Sequence, residues 1–344
     1  MTGDFFLTTW IFLGMRWLCE NVLNNSVFWT ILISTVVLRL ATLPSDIAQR
    51  KSQAKNAEIQ PLLADLQKKY KDDPRKYQIE QQKLMKEHGV SMTAGCLPLL
   101  ITLPLLFCFI AAFRFWGYEQ NVKMLVEMDR NMAVAAEAGL NPETESEVSE
   151  TFLQSKFLWI NNIWQADNGF KPVVMPADEF FKGAAYRDTK KLIYLQKENP
   201  DVYKKLVDMG LFYDEQEGYE DLSAERKEKA LERAKATNTN LTGPLIKHYE
   251  GYNNGFFILP ILATLFQFLY AWYVQKQQKA KTATAAANAP GANMTKYMMY
   301  LLPVMSFFFC LTYTSAFSIY WTLSSAVMLI INVALSLKLK ESDA

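Results

Sequence analysis

The chain is poor in the residues that most enzyme active sites and metal centres require. It has two histidines and four cysteines in 344 residues, and Cys19, Cys96, Cys108 and Cys310 fall at or within apolar segments without paired spacing. This pattern argues against a disulfide framework and a metal site, and favours small apolar packing residues. The sequence also lacks a glycine-rich phosphate loop and a nucleophile paired with a base. It therefore predicts neither an enzyme nor a bound cofactor.

Charge is absent from a long part of the C-terminal region. The run from Tyr297 to Leu337 contains no Asp, Glu, Lys or Arg over 41 residues, which is about twice the length of one membrane span. We therefore predict two helices joined by a turn near Tyr313 to Ser315. Both halves are predicted to be helical because a backbone in hydrocarbon must satisfy its own hydrogen bonds.

Three further apolar stretches bring the number of predicted membrane spans to five. The five spans are 27–48, 95–116, 254–275, 297–313 and 316–337. Charged residues make up 21% of the chain and are concentrated between these spans. The predicted fold class is an all-α polytopic membrane protein.

Loop charges predict the orientation of the chain. Segment 49–94 carries ten Lys/Arg against six Asp/Glu, 276–296 has four Lys and no acid, and 117–252 has 17 basic and 24 acidic residues. The positive-inside rule then places the two short loops and the tail 338–344 in the cytoplasm. The N-terminus and segment 117–253 are predicted to lie outside. The helical stretches predicted within this outer segment include Lys190–Leu211 and Ser223–Lys235.

The N-terminal region 1–26 requires a separate interpretation. Phe5 to Cys19 is apolar and aromatic, but it lacks the basic start and the small-residue cleavage site of a signal peptide. Arg16 and Glu20 follow near its end. The pattern favours an amphipathic helix lying in the outer interface over an uncleaved membrane anchor.

Segment 49–94 predicts a helical hairpin on the cytoplasmic side. Asp73 suits an N-cap, Pro74 suits the first helical position, and Gly89 suits the position after the helix end. The apolar residues expected to pack across the hairpin are Ile59, Leu62, Leu63 and Leu66 with Tyr77, Leu84 and Met85. The sequence leaves two interpretations of this hairpin open: a charged hairpin that is only solvated, and a docking platform for a cytosolic partner.

Arg39 is the only charge deep in any predicted span. A charge at the centre of a membrane helix costs about 2.5–3.5 kcal/mol on insertion scales, so it is normally kept where it faces water, an ion path or a partner. Snorkelling is the alternative. Arg39 lies only about 10 Å along the helix from Ser45 and Asp46, and its long side chain suits that role.

Six motifs in chain order resemble those of the YidC/Oxa/Alb family of membrane protein insertases. They are Thr35 with Arg39, Leu43 and Pro44; Ile59, Gln60 and Pro61 with Tyr70, Pro74 and Gly89; GCLPLLITLP at 95–104; FLWI at 157–160; ILPIL at 258–262; and Ile319, Tyr320 and Trp321. The resemblance covers residues 27–116 and 254–337. It implies a five-helix insertase core with a cytoplasmic helical hairpin and a long extracytoplasmic helical insertion.

The same resemblance implies a hydrophilic substrate groove, open to the cytoplasm and to lipid and closed toward the outside. Arg39 would be its positive charge, with Thr35 a polar position one turn earlier. Tyr320 and Trp321 would be groove-lining aromatics, and Gln267 the counterpart of a third-span groove residue. From the residues alone, Thr35 also fits a hydroxyl bonded to its own helix, and the two aromatics also fit core or interface positions.

The implied function is that of a membrane protein insertase and chaperone in the bacterial cell membrane. Its partners would be nascent membrane proteins and the lipid bilayer, with no direct nucleic-acid recognition; ribosome and Sec translocon contacts are left open. One alternative is a transporter or channel with Arg39 in an anion site, although no internal repeat or second buried charge favours it. Another is a receptor whose work is done by the outer segment.

The sequence departs from the family pattern at several places. Tyr313 to Phe317 replaces a Pro-Ala-Gly-like start of the fifth span, Ser325 stands where Asn is frequent, and Thr102 where Gln is frequent. The outer insertion 168–252 has no assigned task. Because the tail 338–344 is short, a ribosome contact would have to use the hairpin or the lysines of 276–281.

Overall fold

The computed structural model describes residues 6–89, 97–182, 200–209, 211, 223–281 and 292–342. Within them every regular element is a helix, apart from two isolated β-bridges. The helices are α1 (Phe6–Asn21), α2 (Val27–Lys69), α3 (Pro74–Glu87), α4 (Leu97–Glu137), α5 (Pro142–Glu145), α6 (Glu150–Leu153), α7 (Ala177–Lys182), α8 (Pro200–Asp208), α9 (Ala224–His248), α10 (Ile258–Lys281), α11 (Ala292–Thr312) and α12 (Ser315–Ser342). The chain divides into a membrane unit, Met1–Ala112 with Ile258–Ala344, and a second unit, Phe113–Phe257.

Three helices of the membrane unit are long and apolar enough to cross a bilayer among the residues described. They are Val27–Ala48 within α2, Ile258–Lys276 within α10 and Ser315–Ala334 within α12, while Tyr300–Thr312 of α11 is a shorter apolar helix. The predicted second span starts at 95, outside the described residues, and its part from Leu97 onward lies in α4. The all-α membrane fold is confirmed, and the five-helix core stays a prediction.

Two helices continue 21 residues past the predicted ends of their spans. α2 runs for 43 residues through Pro44 and Pro61, so the first span and the first arm of the hairpin are one helix. α4 likewise continues past residue 116 to Glu137. The change from apolar to charged residues at these points alters what surrounds the helix without ending it.

The turn between α2 and α3 has the predicted caps. The Asp73 carboxylate accepts a hydrogen bond from the backbone N–H of Lys76 at 3.0 Å, and Pro74 is the first helical residue. Gly89 follows α3 with a φ of +61°, a left-handed conformation that glycine adopts without steric cost. These three predictions are confirmed.

The predicted apolar contact across the hairpin forms in part. Ile59 and Leu63 are buried with Met85, and Leu84 packs against them. Leu62 is exposed instead, because it lies about 100° round the helix from Leu63.

The turn predicted near Tyr313 to Ser315 is confirmed. α11 ends at Thr312 and α12 begins at Ser315, and the Thr314 hydroxyl accepts a hydrogen bond from the Phe317 backbone at 3.4 Å. α12 packs against α2 and α10, and α10 packs against α11. These contacts bring the helices of Arg39 and Gln267 against one serine-rich helix.

α1 is apolar on two faces. It packs against α2 and buries Phe12, Met15 and Cys19, while Trp10 and Trp17 are exposed on its other side. An aromatic face directed outward fits the interfacial position predicted for this helix, which stays a prediction. Residues 1–5 of that region and Cys96 lie outside the described residues, whereas Cys19, Cys108 and Cys310 are buried.

The second unit has a hydrophobic core of its own. Val122, Leu125 and Met128 of α4 are buried with Leu241 and Leu245 of α9. The helix predicted from Ser223 is present with Ser223 as its N-cap and runs on to His248. The other predicted helix is described only from Pro200, since 190–199 lie outside the described residues.

Candidate functional site

Arg39 is half-buried in the middle of the apolar part of α2 and contacts α12. Its Nε donates a hydrogen bond to the hydroxyl of Ser324 at 2.7 Å, and its Nη2 contacts the same oxygen. Ser324 is buried. No carboxylate contacts Arg39 among the residues that the structure describes. Among the described residues, the guanidinium thus has a neutral hydrogen-bond partner.

Tyr320 completes a polar contact around Ser324. It lies one turn earlier on α12, and its hydroxyl is hydrogen-bonded to Ser324, the serine that also contacts Arg39. Its ring is buried and stacks on Phe109 of α4, with ring centroids 5.0 Å apart and planes 7° apart. The aromatic ring and its hydroxyl therefore face different surroundings, one apolar and one charged.

Thr35 lies one turn before Arg39 and is fully buried. Its hydroxyl donates to the carbonyl oxygen of Ile31 at 2.6 Å. This is the bond to its own helix that the sequence left open as an alternative. A groove role for Thr35 stays a prediction.

Gln267 joins three helices. Its Oε1 accepts a hydrogen bond from the Ser306 hydroxyl of α11 at 2.7 Å, and its Nε2 donates to the Ser325 hydroxyl of α12 at 3.5 Å. Because Ser324 and Ser325 are neighbours on α12, Arg39 and Gln267 approach that helix at adjacent positions.

Trp321 is half-buried and packs its ring against Phe317, with centroids 5.5 Å apart. Its indole Nε1 is buried without a hydrogen-bond partner among the described residues. A buried N–H donor left unpaired is costly, so this atom can bond to a molecule that enters beside it.

Polar contacts continue along the same helices toward their predicted cytoplasmic ends. Tyr300 donates to Gln275 Oε1 at 3.1 Å between α11 and α10, and Tyr273 is hydrogen-bonded to Ser336 between α10 and α12. Gln275 lies two turns beyond Gln267, about 12 Å along α10. The three helices thus carry polar side chains at their contacts over a substantial part of their length.

Two residues of this site were not predicted from the sequence, Ser324 and Ser306. The available signal for Ser324 was its position four residues after Tyr320, on the same helix face. Serine is common where membrane helices pack closely, so a serine in an apolar span does not by its residue type indicate a binding site. The side chain that a serine contacts in the folded protein is needed to show whether that serine binds a charged group.

The chemistry available at this site is binding and solvation. The site can attract an acidic or polar segment and supply hydrogen bonds to it. The groups that would do so are the guanidinium of Arg39, the hydroxyls of Ser324 and Tyr320, the amide of Gln267, and the rings of Tyr320 and Trp321. Within the described part of the chain no cluster of His, Cys, Asp and Glu could hold a metal ion.

Known proteins resemble this chain over part or most of its length. The sequence model of the 60Kd inner membrane protein family matches residues 18–207 and 219–342. A protein named membrane protein insertase YidC from Clostridium perfringens is 51% identical over 96 residues, 28% of this chain and 40% of that protein. A protein of the same name from Chlorobium limicola is 44% identical over 84 residues, 24% of this chain and 14% of its own length.

A third protein with this name, from Chlorobaculum tepidum, is 40% identical over 99 residues, 29% of this chain and 16% of that protein. Each alignment covers less than half of the relative's length, whereas the family model matches most of the chain. The resemblance to YidC-like proteins predicted from the motifs is thus confirmed, and the chain belongs to the 60Kd inner membrane protein family.

Proposed function

We propose that the protein is a membrane protein insertase that inserts newly made membrane proteins into a bacterial cell membrane and helps them fold. Its similarity to proteins named membrane protein insertase YidC supports this function, and Arg39 is the observation that carries it. No enzymatic step is assigned, and no cofactor or nucleotide is required. The substrate groove would be lined by Arg39, Thr35, Gln267, Tyr320 and Trp321, together with Ser324.

The surroundings of Arg39 support a wet groove. A buried charge is tolerated when a counterion or water stabilises it, and no acidic side chain contacts this guanidinium among the described residues. Among the described residues, the Ser324 hydroxyl accepts from only part of the guanidinium's five donors. Water or an acidic substrate segment would satisfy the rest.

The proposed architecture has five membrane helices, with the N-terminus outside and the C-terminus in the cytoplasm. The basic loops 49–94 and 276–296 support this orientation. The polar contacts from Gln267 to Gln275 support a groove that opens toward the cytoplasm. Segment 117–253 would lie outside the membrane on the opposite face.

Such a groove lowers the barrier for moving a hydrophilic flank across the bilayer. It shortens the dry path through about 30 Å of hydrocarbon, so the flank is never fully desolvated. Arg39 attracts acidic residues on the flank. The membrane potential, positive outside, assists by about 2.3 kcal/mol per negative charge per 100 mV. Release of the apolar part into lipid then provides most of the driving force.

The partners in this proposal are nascent membrane proteins and the lipid bilayer. The hairpin of α2 and α3 and the lysines of 276–281 are the basic surfaces available for a ribosome, and a Sec translocon is a further candidate partner. No direct recognition of nucleic acid is proposed.

Protease protection in proteoliposomes tests the function. The protein, its Arg39→Ala variant and its Arg39→Lys variant would receive two single-span substrates, one with an acidic N-terminal flank and one with a neutral flank. We expect Arg39→Ala to lower protection of the acidic flank about tenfold, equivalent to about 1.4 kcal/mol, and to affect the neutral flank less. Arg39→Lys should restore part of the loss because it keeps the charge.

The matched control is Arg130→Ala, which removes an exposed arginine of α4 and should leave protection unchanged. Protection no greater than in empty liposomes, with the purified protein correctly folded, would refute the proposed function. Equal loss for both flanks would refute the electrostatic role of Arg39. Anion flux through the same proteoliposomes would favour the transporter alternative.

A further inference from the structure

The second unit carries a group of apolar side chains that point into open space. Leu158 is 76% exposed, Phe170 87%, Tyr252 65% and Phe256 66%. None of these residues belongs to a helix; they come from two loops, 154–176 and 249–257. A soluble protein rarely exposes several large apolar side chains in one place without a partner for them.

A buried carboxylate holds the two loops together. Asp167 is fully buried, and its Oδ1 accepts hydrogen bonds from the backbone N–H groups of Phe256 and Phe257 at 2.8 and 3.1 Å. Its Oδ2 accepts from the indole N–H of Trp159 at 3.3 Å. Trp159, the neighbour of Leu158, and the backbone of Phe256 are therefore fixed to one carboxylate.

The backbone of the two loops is also tightly constrained where they contact each other. A Cβ on Gly255 would lie 1.9 Å from Asp167 Oδ1, and a Cβ on Gly169 would lie 2.8 Å from the Phe257 ring. Phe170 packs edge-on against Phe257, with centroids 5.5 Å apart. Leu158 itself has a φ of +53°, a conformation that branched side chains rarely adopt. These contacts hold the loops that carry the exposed side chains in a defined conformation.

The loops also adjoin the two points at which the chain passes to its membrane segments. Phe257 is followed directly by Ile258, the first residue of the third predicted span as the structure bounds it. Trp116, at the end of the second predicted span, packs edge-on against Trp164 at 5.3 Å. The backbone of Trp164 donates to Asn162 Oδ1, and Asn162 exchanges hydrogen bonds with Asn254. Both crossing points are thus linked to this part of the second unit.

We propose that these four side chains, Leu158, Phe170, Tyr252 and Phe256, form an interfacial patch that sits in the headgroup layer of the bilayer beside the protein. Aromatic rings with apolar bodies are the side chains that favour this layer. None of the four residues is charged, so the lipid contact made by these side chains is apolar. The patch would hold the second unit at the membrane surface, and this inference does not depend on the insertase function.

Depth-dependent quenching tests the patch in the full chain. Single cysteines at 158, 170 and 140 would be labelled with an NBD fluorophore after Cys19, Cys96, Cys108 and Cys310 are changed to alanine. Leu140 is the control because it is also exposed in the second unit but follows the end of α4, about 30 Å along that helix from Trp116. Positions 158 and 170 are informative because they are distant in sequence from any span.

In proteoliposomes with nitroxide on the acyl chain near the headgroup, we expect labels at 158 and 170 to be quenched at least about twofold more than the label at 140, as burial at the interface requires. Equal quenching at all three positions would overturn the proposal. Labels shielded from aqueous iodide but not quenched by the lipid nitroxide would overturn it in favour of a protein contact.

A second measurement uses the unmodified chain in case the cysteine-free protein does not fold. A phospholipid with a photoreactive diazirine near its headgroup would be irradiated with the native protein in proteoliposomes. Lipid adducts within 156–172 and 252–257, with none within 138–148, are the expected result. Absence of adducts from both loops while the membrane helices are labelled would refute the lipid contact.

Discussion

The two units of this protein place polar and apolar side chains in opposite ways. In the membrane unit, large apolar residues such as Ile261, Leu302 and Phe308 are exposed, while Ser306 and Ser324 are buried between helices. In the second unit, the buried positions are filled by a continuous apolar cluster around α4 and α9. The difference follows from the surrounding solvent, since lipid gives little reason to hide an apolar side chain and water gives a strong one.

Long-range side-chain contacts consequently have different roles in the two units. Hydrogen bonds such as Arg39 to Ser324 and Gln267 to Ser306 connect membrane helices whose outer surfaces are apolar. The second unit gains its stability from apolar burial and uses buried polar groups to fix loops, as Asp167 does. Removing a buried apolar side chain should therefore cost more in the second unit than removing a polar contact costs in the membrane unit.

The largest expected effect is on the core of the second unit. Leu245→Ala removes a fully buried side chain of α9 and should lower the free energy of unfolding of this unit by about 2–5 kcal/mol. Ile246→Ala, at an exposed neighbouring position, should change it by less than about 0.5 kcal/mol. Pulse proteolysis of the full chain in detergent, scored by cleavage within 113–257, measures both. Similar losses for the two variants would contradict a water-driven core.

A smaller loss is expected at the loop clamp. Asp167→Ala leaves two backbone N–H groups without their acceptor and should cost about 1–3 kcal/mol, with faster hydrogen exchange at Phe256 and Phe257. Asp167→Asn keeps an acceptor oxygen and should cost less. The control Asp178→Ala removes an exposed carboxylate paired with Lys235, where little change is expected. Unchanged exchange at both amides would show that Asp167 does not hold the loops.

The smallest effect is expected between the membrane helices. Ser324→Ala removes the hydroxyl that binds Arg39 and should lower the unfolding free energy of the membrane unit by about 0.6 kcal/mol, and by no more than about 1.7 kcal/mol. Ser325→Ala should cost less because its contact with Gln267 is 3.5 Å long. Reversible unfolding in mixed micelles measures both. A loss at Ser324 as large as that at Leu245 would remove the contrast between the units.

The fold was largely predictable where local pattern controls it. The apolar run from Tyr297 predicted the turn between α11 and α12, and Asp73, Pro74 and Gly89 predicted the turn between α2 and α3. The continuity of α2 through Pro44 and Pro61 was not predicted. Span length and loop charge report the surroundings of a helix, and they do not report whether its hydrogen bonds continue beyond the bilayer.

The sequence predicted several residues of the candidate site but not the contacts between their side chains. Arg39, Gln267 and Tyr320 could be selected because polar or charged groups are rare and costly in apolar spans, or because they match family motifs. Their common contact with adjacent serines of α12 could not be selected in this way. Thr35 was selected by its spacing to Arg39, yet its hydroxyl bonds to its own helix.

Hydropathy, loop charge and cap residues were sufficient to indicate a helical membrane protein with an unusual arginine inside a span, because each acts through neighbours in the chain. Long-range packing was needed to show which hydroxyl Arg39 contacts, and to show that Asp167 joins two loops 89 residues apart. Such pairings depend on which helices and loops meet in space, and residues far apart in the chain carry no local pattern that identifies their partner.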